Sequence, residues 1–144
     1  MPNSVKDFNK LRMLKGMIAE FYAIPFYISD LDSKIASLHE KMSSIEAVQY
    51  GKEPSGNHVP NDEKLASYVD KVMDLEMQKQ DKINRQKYII AKLHISDLTS
   101  EERKVIDADF TSQTFSAACE KAGYSRSQFS RILNRAFDKM IQYI

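Results

Sequence analysis

The chain has 144 residues, 42% of them hydrophobic and 28% charged, with four glycines, four prolines, no tryptophan and a formal charge of +1. That length gives one domain, or a small globular module joined to an extended helical arm, and excludes two full-sized domains. Near-neutrality excludes a protein that binds polyanions over its whole surface, though it hides any local basic patch. Abundant Lys, Glu, Asp, Leu, Ile and Met with little Gly or Pro favours an all-α fold.

In chain order, Ser4 can cap a first helix, after which Phe8, Leu11, Leu14, Ile18, Phe21, Ile28, Leu31, Ile35, Leu38, Met42 and Ile45 recur at steps of three, four or seven. Pro25 lacks an N–H and crowds the preceding turn, so the spacing predicts two helical pieces, or one bent helix, over about 4–48 with the kink near Ala23–Pro25. The run YGKEPSGNHVPN at 50–61 reads as a loop. It only superficially resembles a phosphate loop, because Gly51 and Gly56 are followed by Asn57 and His58 where Lys and Ser/Thr are required. A second long helix is expected over about 62–94, with Leu65, Val69, Val72, Met73, Ile83, Ile90 and Leu93 on one side and a polar middle, LEMQKQDKINRQK. Such a helix cannot bury a core alone. It can lie antiparallel to the first helix, or against a second chain, as a coiled-coil hairpin. Residues 1–97 are thus expected to form a helical arm.

Cys119 is the only cysteine, which excludes an intramolecular disulfide framework and a multi-cysteine zinc site and fits a reducing compartment, the cytoplasm by default. The amino-terminal stretch has no apolar signal core, and the longest apolar run, FYAIPFYI, is too short to span a bilayer, so neither secretion nor a membrane partner is expected. His39, His58 and His94 have no metal-ligand spacing. No nucleophile, base and orienting group stand together. The expectation is a non-enzyme without metal or cofactor.

Residues 98–144 read differently, as three short helices. Thr99 and Glu102 make a T-x-x-E capping box ahead of Val105, Ile106 and Phe110, Thr114 can cap a second helix, and Gly123 can end it in the left-handed conformation. Ser125 and Gln128 then make an S-x-x-Q box that opens a last helix from Arg126. A helix that ends at glycine and restarts within three residues must reverse sharply, and the small Ala118, Cys119 and Ala122 permit the close crossing, with Tyr124, Phe129 and Ile132 filling the space. The pattern is a helix-turn-helix, whose second helix enters the major groove.

The charge is localised here. Residues 124–144 carry +3, leaving −2 for the rest of the chain. At about 100° per residue, Phe129, Ile132, Leu133, Ala136 and Met140 fall on one side of the last helix and Ser127, Gln128, Ser130, Arg131, Asn134 and Arg135 on the other. Arginine can bridge guanine O6 and N7, and Gln or Asn can do the same for adenine. Arg126, Ser127, Gln128 and Arg131 are therefore the expected base contacts, and Asn134, Arg135 and Lys139 the expected phosphate contacts, with Ser125 at the helix end adding attraction for an anion. Cys119, Tyr124 and Phe129 read as core.

With LTSEERKVIDADF and TFSAACEKAGYSRSQFSRILNRAFDKM in view, residues 98–144 resemble the region-four DNA-binding domain of sigma-70 family factors. In layout and heptad character the whole chain resembles ArpU-like and RinA-like late-transcription regulators of phages and prophages of Gram-positive bacteria. The resemblance implies action on promoters of packaging and structural genes, contact with RNA polymerase, and DNA contact at Arg126, Ser127, Gln128, Arg131 and Arg135. Ala118 departs from it, standing where a larger aliphatic is usual, as does Tyr124 where a smaller residue is common.

Two functions from different classes follow. One is a sequence-specific regulator that binds double-stranded DNA as a homodimer or higher oligomer joined through the arm, since one module reads too few base pairs for high affinity. The other is an adaptor whose arm, with FYAIPFYI at its kink, binds a host or phage protein. A small packaging-terminase subunit is a variant of the first.

Overall fold

The computed structural model describes the backbone of residues 5–51 and 61–144 and the side chains of residues 7–45 and 62–144. Two long helices, α1 (Val5–Gly51) and α2 (Asn61–Leu93), precede three short ones, α3 (Ser100–Thr111), α4 (Phe115–Ala122) and α5 (Arg126–Ile141), with a single 3-10 turn at Ile95–Asp97. The protein is all-α, with no strand among the described residues. None of the described helices is long and apolar enough to cross a membrane. Ser4, His58 and most of the expected 50–61 loop lie outside the described residues.

Of the two arrangements expected at Pro25, two pieces or a single helix, the single helix is found: α1 runs without interruption from Val5 to Gly51, with Pro25 inside it. Proline removes the donor that would serve the Phe21 carbonyl. One lost bond does not end a helix whose neighbouring turns are fastened by burial of Ile24 and Leu31. The apolar stripe is real but its edges shift. Leu14, Ile18, Leu31, Val72 and Leu93 are buried, whereas Phe8 (65% exposed), Val69 and Met73 face outward, and Ile24 and Ile89, outside the predicted stripe, are in the core.

Compactness divides the chain at Ile24/Pro25 and Asn84/Arg85: one unit comprises 1–24 and 85–144, the other 25–84. In the second unit the α1 and α2 segments run antiparallel, with Lys79 Nζ 2.7 Å from Asp32 Oδ1 and Lys82 over the Tyr27 ring at 4.7 Å. The exposed Phe26 and Tyr27 belong to this unit.

In the first unit the amino-terminal part of α1 is built into the same core as α3–α5. Tyr22 stacks nearly parallel on Phe110 at 5.9 Å, and Phe110 meets Phe137 edge-on at 6.5 Å. Burial, reinforced by a hydrogen bond to Asp107, pushes the Tyr22 phenol well up. Arg85 grips Glu20 in a forked pair, Nε to Oε1 at 2.8 Å and NH2 to Oε2 at 2.9 Å. α2 ends at Leu93, and His94 takes the left-handed conformation (φ 53°) usually left to glycine while its ring stacks on Tyr143 at 3.7 Å.

Candidate nucleic-acid interface

Every cap read from the carboxy-terminal sequence forms. Glu102 N–H donates to Thr99 Oγ1 (3.2 Å) while Thr99 N–H donates to Glu102 Oε1 (2.9 Å). Ala117 N–H donates to Thr114 Oγ1 at 3.1 Å, opening α4. Gly123 ends α4 at φ 76°, its N–H reaching the Cys119 and Glu120 carbonyls, and Tyr124 N–H closes onto Cys119 O at 3.1 Å. Ser125 then caps α5, accepting from Gln128 N–H at 3.2 Å, with Gln128 Oε1 accepting from Ser125 N–H at 3.4 Å. The reversal therefore takes three residues. Its inner surface is a single cluster of Val105, Ala108, Ala118, Cys119, Ala122, Phe129 and Ile132, against which Tyr124 and Leu133 pack. α4, the Gly123 turn and α5 form a helix-turn-helix, and Ala118 and Tyr124 fit its core.

Burial fixes the orientation of α5. Phe129, Ile132, Ala136, Phe137 and Met140 face inward, leaving Ser127, Arg131 and Asn134 within about 60° of one another on the outside at about 100° per residue. These three exposed side chains form no hydrogen bond or ion pair among the described residues. Phe137 was not on the predicted inner arc. It is buried because Phe110 of α3 and Lys15 of α1, 5.6 Å above its ring, reach round to it.

The other predicted contacts are engaged. Arg126, at the first position of α5, donates from NH2 to Ser116 Oγ of α4 at 2.6 Å and lies 5.7 Å from the Phe115 ring centroid. Gln128 and Ser125 hold each other in the cap, so the Gln128 amide cannot offer both its groups to an adenine while the cap is closed. Arg135 and Lys139 turn toward the amino end of α3: Arg135 NH2 is 3.5 Å from Glu101 Oε2, Arg135 Nε is 3.6 Å from Glu102 Oε2, and Lys139 Nζ donates to Glu102 Oε1 at 2.5 Å.

Glu102 is the centre of that second arrangement. It is fully buried, and its Oε2 has no hydrogen bond, only the longer approach of Arg135. Burial alone pushes the carboxyl up, but the Lys139 hydrogen bond and the bonds from the Thr99 backbone and hydroxyl together hold it below the usual glutamate value of 4.5. A buried carboxylate demands cations. Arg135 and Lys139 answer that demand, which neither charge counting nor helical angles could reveal, because the acid lies more than 30 residues earlier on another helix.

The set read from the sequence thus separates into an open strip (Ser127, Arg131, Asn134), a tethered cation (Arg126), a closed cap (Ser125, Gln128) and a buried-acid clamp (Arg135, Lys139). Ser116 and Phe115 belong to the site and were not read as such. Their one signal was position, at the start of the helix that precedes the turn. No protein-family model, no curated protein and no solved structure matches this chain.

Proposed function

We propose that the protein is a sequence-specific, double-stranded-DNA-binding transcriptional regulator that lays the amino-terminal half of α5 in the major groove. The observation that carries this reading is the open strip: donor-bearing side chains, Arg131 at their centre, stand outward without an acidic partner, next to Arg126, on a helix fixed from behind by Phe129 and Ile132. Arg126 and Arg131 take base edges, Ser127 and Asn134 support them, and free N–H groups at the start of α5 favour a neighbouring phosphate. Arg135 and Lys139 act inside the protein. On the sequence resemblance, the promoters are those of phage late genes, RNA polymerase is the further partner, and the chain works as a homodimer that reads two half-sites.

The test is selection of a binding site from randomised duplexes followed by gel shift with the full chain. Arg131→Ala is expected to lose the selected site while keeping its melting temperature, and unchanged affinity would overturn the assignment. Exposed Phe26 (78%) favours a second reading, the adaptor. The two part cleanly in salt: duplex affinity that falls steeply as salt rises marks phosphate contact, whereas an adaptor has no duplex affinity even in low salt.

A further inference from the structure

Arg126 differs from Arg131 in having its position set before any partner arrives. Its NH2 donates to Ser116 Oγ at 2.6 Å, and its guanidinium carbon stands over the Phe115 ring. Both supports are exposed at the surface but fastened to the helix-turn-helix. Phe115 meets the fully buried Phe129 of α5 edge-on at 5.4 Å and an interplanar angle of 87°, so its ring is anchored to the core that fixes α5 itself. Ser116 lies in the first turn of α4, which Thr114 caps through Ala117 N–H.

A guanidinium carries five N–H donors in one plane. A bond from one NH2 together with a ring beside the plane restrains both its direction and its rotation. The remaining donors stay in a fork suited to two acceptors side by side. A long side chain otherwise gives up rotamer freedom on binding, and a restrained one has already given it up.

Resting on the DNA-binding reading, we infer that Ser116 and Phe115 are positioning residues that set the base preference of Arg126 by holding its guanidinium in place. Ser116 need not touch DNA to do this. Discrimination at one base pair then depends on a residue of α4, the helix outside the groove. Arg131 has no such support among the described residues and is expected to adapt to its acceptor.

The experiment compares the full-length chain with Ser116→Ala, Ser116→Thr, Arg126→Ala and Ser116→Ala/Arg126→Ala. It measures affinity for the selected duplex, for that duplex with each base pair changed in turn, and for unrelated duplex, and it follows the Arg126 Nε–Hε order parameter in the free protein. Ser116→Ala is expected to lower preference at the Arg126-dependent base pair by about three- to tenfold, the effect of one ordinary solvent-exposed hydrogen bond. It leaves unrelated-duplex affinity unchanged, has no further effect in the Arg126→Ala background, and lowers the Arg126 order parameter toward that of Arg131. Ser116→Thr, which keeps the hydroxyl, restores the preference.

An additive double variant, an equal loss on selected and unrelated duplex, or an unchanged order parameter would overturn the inference and leave the DNA reading standing. A wild-type chain that binds no duplex in low salt overturns both.

Discussion

Arg131 and Arg135 stand one turn apart on α5, both exposed, and they differ in what faces them. Arg131 forms no ion pair among the described residues, whereas Arg135, with Lys139 one turn further on, faces Glu101 and the buried Glu102 of α3. The same residue type therefore does two jobs on one helix. Toward the amino end it is free to bind another molecule, and toward the carboxy end it compensates an acid that the fold has taken out of water. The lesson is that a basic helix face has to be divided by its acidic partners before it is read as an interface.

The comparison breaks most severely if the helix-turn-helix core is emptied. Phe129→Ala removes a fully buried ring packed edge-on against Phe115 and is expected to cost about 3–5 kcal/mol in urea unfolding, taking both halves of α5 with it. Arg131→Ala separates the halves in the other direction. It should leave unfolding unchanged and weaken binding to the selected duplex by about 1–3 kcal/mol, read by gel shift at fixed salt.

Glu102→Gln should do the reverse, costing roughly 2 kcal/mol of stability, because the capping acceptor survives but Lys139 and Arg135 lose their counter-charge. The cost stays moderate since both cations can turn to water. The same site sharpens the comparison through pH. A carboxyl held below 4.5 stabilises the fold fully above that value and loses its contribution as pH falls through its lowered value, so wild type should lose stability on acidification more steeply than Glu102→Gln. Smallest, Gly123→Ala meets open space at its new methyl but strains a backbone at φ 76°, and about 1 kcal/mol is expected by thermal unfolding.

Local chemistry carried the legible part of this structure. Thr99, Thr114, Gly123 and Ser125 act within four residues of themselves, so their caps and the turn could be read directly, and α3 and α5 begin where those residues place them. What the sequence concealed is non-local. Pro25 predicts a bend or a break from its own chemistry, and with Ile24 and Leu31 buried on neighbouring turns α1 stays one helix across it. Phe137 lies outside the apolar arc that helical angles give α5, yet α1 and α3 cover it. Lys139 bonds Glu102, 37 residues earlier, a partner that no local pattern reveals.

The division of α5 is tested most directly by following the arginine side-chain Nε–Hε signals of the full chain as selected duplex is added. Arg126 and Arg131 are expected to shift and become protected from exchange while Arg135 stays where it is in the free protein. Movement of Arg135 with Arg126 and Arg131 unmoved would contradict the account.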